Sequence, residues 1–341
     1  MAVVKANAYG HGAVDITRAL LRHGVSRVAV VSIEEGIALR QAGINAPIVI
    51  LGPLFPEQIG DLLAHQLTPV VSDLDILAPL SNAVGRLNKA YPIHIKVDTG
   101  MGRLGLPAAE AESWLGNPLW KNLLQIEGVM THLADTDGPD TEHTERQLRS
   151  FRRVLSLIDQ RGWRVPLVHA TNSAGLIRFP QSHFSLVRPG ITLYGYHTLP
   201  STIVAPTLKP VLSLRSTIAQ IKIIEPGDTV SYKGTFVAGR RSRIAVLPLG
   251  YADGYSRRLS NRGMVLIQGR RAPVVGLVCM DMVMIDVTDV PLAQVGDEAM
   301  LIGRQGAEAI WADEVAGWMD TIPYEVLCAI GPRIPRVYHE A

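Results

Sequence analysis

The feature that most constrains this chain is an alternation running through its first two-thirds, in which short apolar runs are followed by amphipathic stretches. The runs are "AVVK" (2–5), "RVAVVS" (27–32), "PIVILG" (47–52), "LTPVVS" (67–72), "IHIKVD" (93–98), "LQIEGVMTH" (124–132), "PLVHA" (166–170) and "FSLVR" (184–188). Strands so uniformly apolar are buried on both faces, which is the condition of a parallel sheet covered by helices. The stretches between them carry helical spacing. Val14, Ile16, Ala19, Leu20 and Leu21 suit a helix ending at Gly24. Ser32 and Glu35 stand at capping-box spacing before a helix that Gly43 stops. Further helices are predicted near 56–65, 73–86, 108–115 and 141–161, the last with Leu148, Phe151, Leu155 and Ile158 on one face. Eight strands with such crossovers predict a (β/α)8 barrel in preference to an open doubly wound sheet. The first glycine-rich bend, "GHG", also lacks the full dinucleotide fingerprint.

Near residue 210 the texture changes. "VLSLRSTIAQIKII" reads as one long strand ended by the turn "EPGD", and "RIAVLPLG", "GMVLIQG", "APVVGLVCM", "MVMIDVT" and "AMLIG" follow, with "QGRR" as a hairpin signal. One helix is predicted near 312–319. The fold class is therefore α/β: an N-terminal (β/α)8 TIM-like barrel over 1–209, then a mainly antiparallel β domain over 210–341, divided within "VAPTLKP" (204–210).

Composition bounds the function. With 47% hydrophobic residues a large core can be buried, and 33 basic against 31 acidic residues leave no nucleic-acid patch. No run is long enough to span a membrane, and the start leads into a strand pattern without a signal peptide. Cys279 and Cys328 are far apart and lack metal-ligand spacing, which points to a reducing compartment and no metal. The expectation is a soluble, cytoplasmic protein.

In a barrel of this kind chemistry gathers at the C-terminal strand ends. Those ends carry Lys5, Ser32, Gly52, Ser72, Lys96 with Asp98, His132, His169 with Asn172 and Ser173, and Arg188. Each has a plain reading as rim residue or cap, and Ser32 is read as a cap. As a set, two lysines, an arginine and two histidines favour an anionic ligand. Lys5, between an apolar strand and a glycine-rich bend, is either a solvated strand end or an amine in a dry pocket, where the ammonium is disfavoured. In "SLVRPGITLYG" (185–195), Gly190 and Ile191 can offer backbone N–H groups after Arg188, where such barrels bind phosphate. An amine beside a phosphate site fits pyridoxal phosphate; a phosphorylated sugar fits the same spacing.

Eight motifs in order then resemble one family: "VVKANAYGHG", "KVDTGMGRLG", "THLADTDG", "HATNSAG", "VRPGITLYG", "LGYADGY", "GLVCMDMVMIDV" and "PYEVLC". The likeness is to bacterial alanine racemase and covers nearly the whole chain. It implies pyridoxal 5'-phosphate bound in the barrel, and L-/D-alanine interconverted by two-base proton transfer to supply D-alanine for peptidoglycan. It also implies a homodimer with shared active sites. By position, the resemblance makes Lys5 the lysine that holds the coenzyme covalently and one of two catalytic bases, with Tyr251 the other. It places Tyr9, Ser173, Gly190, Ile191 and Tyr324 around the phosphate, Arg188 at the pyridine nitrogen, and His132 beside it. Arg103 is implied near the phenolic oxygen and the substrate carboxylate, and the Met280 backbone N–H at that carboxylate. Lys96 matches a lysine that some members carbamylate. In the family Tyr251 and Met280 come from the partner subunit. A racemase of serine, lysine or broad specificity, a non-catalytic pyridoxal-phosphate carrier and a decarboxylase of similar architecture are the alternatives; residues 210–341 count against a carrier. "GYADGY" also reads as an ordinary turn, and Tyr232, Tyr255 and Cys279 as structural.

The sequence departs from the family at its start, where members have a longer segment with a strand and a helix before the lysine. Loss of these would expose apolar surface and a sheet edge. The expectation is a poorly soluble or weakly active chain, tested against a version extended upstream.

Overall fold

The computed structural model describes residues 1–87, 90–122 and 124–339, so the last two positions of the expected β domain lie outside the described residues. Two compact units emerge. One comprises residues 1–8, 12–193 and 197–207, the other residues 9–11, 194–196 and 208–341.

The first unit is built on parallel strands β1 (Ala2–Val3), β2 (Val28–Val30), β3 (Ile48–Ile50), β4 (Thr68–Val71), β5 (Tyr91–Asp98), β7 (Leu124–Met130) and β8 (Leu167–His169), paired in that order, with a short β6 (Leu106–Pro107) on β5. The expected eighth strand, 184–188, is not a regular ladder. It nevertheless closes the barrel: Ser185 and Leu186 N–H donate to Val168 O at 3.2 and 3.1 Å, and Val3 N–H donates to Pro189 O at 3.0 Å. The ladder is interrupted at its start, where Phe184 has positive φ (49°) and Val168 N–H donates to the Ser185 hydroxyl at 2.7 Å in place of a backbone carbonyl. Met1, Ala29, Val49, Val70 and Met130 pack together as one interior layer.

Helices α1 (Ala13–Arg22), α2 (Ile33–Gln41), α3 (Ile59–Ala64), α4 (Leu77–Val84), α5 (Ala111–Leu115), α6 (Glu142–Gln160) and α7 (Ser173–Arg178) lie between the strands. Ser32 caps α2, accepting from Glu35 N–H at 3.3 Å. The Glu35 carboxylate does not close the expected box on Ser32; it accepts from Val31 N–H at 2.8 Å and Ala6 N–H at 2.6 Å. On α6, Leu148, Phe151, Val154 and Ile158 are buried, so Val154 takes the place predicted for Leu155, one position back along the helix stripe. Full burial of Leu148 and Phe151 contributes about 2 kcal/mol each.

The second unit is antiparallel. Strands β10 (Gln220–Ile224), β13 (Ser242–Leu247) and β16 (Val283–Asp286) form one sheet, and β11 (Thr229–Val230) pairs with β12 (Phe236–Val237). A third sheet runs β15 (Arg270–Pro273), β14 (Met264–Ile267), β17 (Glu298–Gln305), β18 (Glu308–Ile310), with β9 (Leu214–Thr217) also on β17. The single long strand expected at 211–224 is thus two strands in different sheets, and most of "APVVGLVCM" lies outside any strand. The hairpin at "QGRR" is present, with Gln268 and Gly269 both at positive φ (51° and 74°), as a tight two-residue turn requires. Beside the expected helix α8 (Ala312–Met319) there is a second, α9 (Pro323–Cys328), whose proline stands at the start of the helix. Distant segments complete this unit. Arg336 donates to Gly10 O at 2.9 Å from Nη2, and the Tyr338 hydroxyl donates to His11 O at 3.0 Å.

Candidate active site

In the first unit the site starts at Lys5, which is half-buried where β1 ends. The backbone that follows is unusual: Ala6, Asn7, Ala8 and Tyr9 all have φ between 51° and 53°. That is a left-handed turn, and each non-glycine residue in it costs about 1–2 kcal/mol. Its polar groups are met locally. Glu35 accepts from the Ala6 amide, and Asn7 Oδ1 accepts from Ala13 N–H at 2.8 Å at the start of α1.

Lys96 points into the barrel from β5 and is 4% exposed. Burial, reinforced by the positive charges of Arg103 and Arg188, pulls its ammonium down to about 8. His132 follows β7 and is held far below the usual imidazole range, first by burial and then by Arg188, Arg103, Lys96 and Lys5. These five side chains therefore share one field. Arg103 is exposed on the loop after β5 and lines a cleft of about 450 Å³ with Pro53, Phe55 and Ser72. Asp98 shapes that loop, its Oδ1 accepting from Gly100 and Met101 N–H at 2.9 Å each and from Gly102 N–H at 3.2 Å.

Arg188 is buried and donates from both terminal nitrogens. It donates to Thr131 O (2.8 Å), Ala170 O (2.9 Å), His169 Nδ1 (2.8 Å) and His132 Nδ1 (3.2 Å). A guanidinium only donates, so both ring nitrogens facing it are acceptors without protons. Burial lowers its hold on its own proton; arginine starts so high that it stays charged.

Next to it lies a small cradle. Gly190 N–H (2.8 Å), Thr192 N–H (3.3 Å) and the Thr192 hydroxyl (3.1 Å) all converge on Ser173 Oγ, at the first turn of α7. Two amides and the Thr192 hydroxyl are thus turned toward Ser173 Oγ, donors of the kind that a phosphate ester accepts. Ile191, between the two amides, is 1% exposed. Asn172 has the plainer role of capping α7, accepting from Gly175 N–H at 2.9 Å.

In the second unit, Tyr9 is buried with Tyr194 and Tyr324, at ring-centroid distances of 4.9 and 5.9 Å. Burial, then Tyr324 and Cys328, hold the Tyr9 phenol well above its usual range, so it is a hydrogen-bonding group and not an acid. Tyr251 and Met280 come together on the surface of this unit, 43% and 53% exposed. Two backbone bonds tie their loops: Tyr251 N–H to Cys279 O and Ala252 N–H to Met280 O, both 3.0 Å. Gly250 makes this approach possible, since a Cβ there would lie 2.2 Å from Cys279 O. Asp253 accepts from Gly250 N–H at 2.9 Å and pairs with Arg333 at 3.2 Å, fixing the turn. Tyr255 is buried, whereas Tyr232 is 68% exposed.

Lys5, Lys96, Arg103, His132, Ser173, Arg188, Gly190 and Ile191 thus lie in the first unit, and Tyr9, Tyr251, Met280 and Tyr324 in the second. Sequence reasoning missed Thr192, although "RPGIT" carried it two places past Gly190. It also missed Gln147, whose amide joins Ala134 N–H, His132 O and the Thr99 hydroxyl (2.8, 3.0 and 3.2 Å) and so steadies His132. Its place beside Leu148 and Phe151 on the buried face of α6, with Thr144 one turn earlier, was the available signal.

A closed parallel barrel carrying a buried lysine–arginine–histidine group at its strand ends, followed by an antiparallel unit, defines a two-unit enzyme of the barrel type. Comparison with known proteins gives the particular case. The profile "Alanine racemase, N-terminal domain" matches residues 1–198, and "Alanine racemase, C-terminal domain" matches residues 211–338. The chain belongs to the alanine racemase family. An alanine racemase of Halothermothrix orenii is 44% identical over 338 residues, spanning 99% of this chain and 89% of the relative. One of Carboxydothermus hydrogenoformans is 45% identical over 341 residues, spanning 99% and 92%. Among solved structures, the Bacillus anthracis alanine racemase with bound L-Ala-P superposes at a TM-score of 0.91 with 36% identity, covering 99% of this chain and 88% of that one. The Bartonella henselae enzyme with covalently bound pyridoxal phosphate gives 0.88 and 33%, covering 99% and 92%. Among the described residues no helix is long and apolar enough to cross a membrane.

Proposed function

We propose that this chain is a pyridoxal-phosphate-dependent racemase that interconverts L- and D-alanine, with residues 1–209 as the coenzyme-binding barrel and 210–341 as the β domain. The observation that carries this reading is the meeting of Lys5, Lys96, His132 and Arg188 in one buried field beside the Ser173–Gly190–Thr192 donor set. The coenzyme, once bound, draws electron density from the substrate Cα and makes its proton removable. The protein's residues do the rest. Lys5 holds the coenzyme covalently and takes or returns the Cα proton on one face. Tyr251 of the partner subunit serves the opposite face, because inversion needs a donor and an acceptor on opposite sides of one carbon. Ser173, Gly190, Ile191 and Thr192 bind the phosphate. Arg188 donates and cannot accept, so it would leave the ring nitrogen of the coenzyme unprotonated, which would limit the electron sink and disfavour side reactions. His132 would help hold that ring. Arg103 and the Met280 N–H orient the substrate carboxylate.

Lys96 has a separate use. With its ammonium lowered to about 8, a minor neutral fraction exists at neutral pH, and a neutral amine adds carbon dioxide and releases one proton to solvent, giving a carbamate anion that would pair with Arg103. The functional unit in this reading is a cytoplasmic homodimer whose partner supplies Tyr251 and Met280, both exposed on this chain. Its D-alanine serves peptidoglycan assembly.

The test combines spectroscopy and turnover. The purified protein with pyridoxal phosphate should show the absorbance of a covalently held coenzyme and racemise L-alanine faster than L-serine or L-lysine. Lys5→Ala should lose both properties. Tyr251→Phe should keep the absorbance and lose racemisation by at least about 100-fold. A colourless, inactive wild type refutes the reading.

A further inference from the structure

Behind Arg188 the barrel interior holds a second line of polar side chains that no step of the reaction touches. His94 on β5 and His169 on β8 are both fully buried. His94 Nδ1 lies 2.8 Å from His169 Nε2, and His94 Nε2 lies 3.2 Å from Glu127 Oε2. The other oxygen of Glu127 pairs with Arg27 at 3.2 Å.

The direction of these bonds is fixed from one end. Arg188 can only donate, so His169 accepts on Nδ1 and carries its proton on Nε2. His94 then accepts on Nδ1, carries its own proton on Nε2, and donates it to Glu127. Every bond points the same way, from the guanidinium to the carboxylate. Burial and nearby arginines keep both imidazoles below their usual range, consistent with neutral rings.

The backbone is shaped around this line. On β7, Ile126 faces Ile93 and Gly128 faces His94, so Glu127 is the extra residue of a bulge. Regular alternation would turn Glu127 outward with Val129; a bulge re-aims the side chain toward His94. Gly128 clears the ring, because a Cβ there would meet His94 Nδ1 at 2.5 Å.

We propose that Glu127 and His94 are positioning residues for racemisation, which through His169 hold the Arg188 guanidinium in one orientation at the coenzyme ring. The proposal rests on the role given to Arg188 above. Without a carboxylate at the far end, His94 is free to carry its proton on Nδ1. Two N–H groups would then face each other across 2.8 Å, and Arg188 would lose a fixed acceptor.

The test uses holoenzyme labelled with ¹⁵N in histidine, read by ring-nitrogen NMR, together with kinetics normalised to bound coenzyme. In the wild type, His94 and His169 should both be neutral Nε2–H tautomers. Glu127→Ala should lose the single tautomer at His94, shift the coenzyme absorbance band, and lower kcat per bound coenzyme by about tenfold or more with KM for alanine within about twofold. Glu127→Gln keeps an acceptor oxygen and should stay within about threefold of the wild-type kcat. An Nδ1–H or doubly protonated His94 in the wild type overturns the proposal, and needs no variant to be seen. So does Glu127→Ala with unchanged kcat and band, or a Glu127→Gln as impaired as a His94→Phe variant. A wild type without racemase activity would refute the functional reading instead, while the tautomer result would stand by itself.

Discussion

At the scale of single residues, Lys96 shows how the site is held against the interests of the fold. Its amine ordinarily protonates near 10.5 and here near 8, chiefly through burial. Between those values the unfolded chain binds the extra proton, so stability rises with pH across that window, and the cost of burying the charge is fully present below about 8. Lys96→Met, of similar length and without a charge, should therefore stabilise the protein near pH 7 by on the order of 2–3 kcal/mol. The advantage should shrink toward zero by about pH 10.5, measured by urea unfolding in buffer freed of carbon dioxide. A pH-independent difference would mean that the lysine is not titrating in the fold. Turnover in buffer containing carbon dioxide should fall in the same variant, because the carbamate proposed to pair with Arg103 can no longer form. The pattern "IHIKVD" made Lys96 conspicuous, yet the same alternation places His94 on its face two residues earlier. His94 went unread because a lone histidine in an apolar strand gives no sign of what it meets; its partners lie 33 and 75 positions away in sequence.

At the scale of elements, the left-handed turn over Ala6–Tyr9 is the least expected local structure. In "ANAY" only Asn7 leans toward positive φ; alanine and tyrosine have no such preference, so a run of four is not announced. The turn is set by what surrounds it, including the Glu35 carboxylate on the Ala6 amide. Ala6 is exposed, so Ala6→Gly removes backbone strain without leaving a cavity. After the entropy that glycine adds to the unfolded chain, a net gain of about 0.5–1 kcal/mol is expected. That should raise Tm by about 1–2 °C. A fall in Tm would show that Ala6 is not strained. Other elements were plain in the sequence because their signals are local. The Ser32 cap, the Gln268–Gly269 hairpin and the apolar cores of the parallel strands follow from near neighbours. The split of 211–224 was not legible. Ile218 and Ala219 are both apolar, a one-residue slip in the alternation that reads equally as a bulge within one strand, and pairing with β17 and β13 reveals the change of sheet.

At the scale of the whole molecule, the division drawn from composition, 1–209 and 210–341, is a proposal that the compact units refine. Residues 9–11 and 194–196 belong with 208–341, and they bring aromatic side chains into that unit. Tyr194 is 1% exposed and stacks on Tyr9, while the Tyr196 hydroxyl accepts from Ala312 N–H at 3.4 Å. A fragment of residues 208–341 lacks all three rings. It should retain strand-like far-UV circular dichroism but lose near-UV signal and cooperative thermal unfolding, the behaviour of a loosened core. A sharp melting transition would show that these rings are dispensable. The bonds from Arg336 and Tyr338 back to Gly10 and His11 carry a further consequence for biosynthesis. Residues 10 and 11 wait for partners 326–327 positions further along the chain, so this unit is completed only after the whole segment between them has been made. Its closing step is a long-range search of the kind that slows folding, and the nascent chain is most exposed to aggregation just before it.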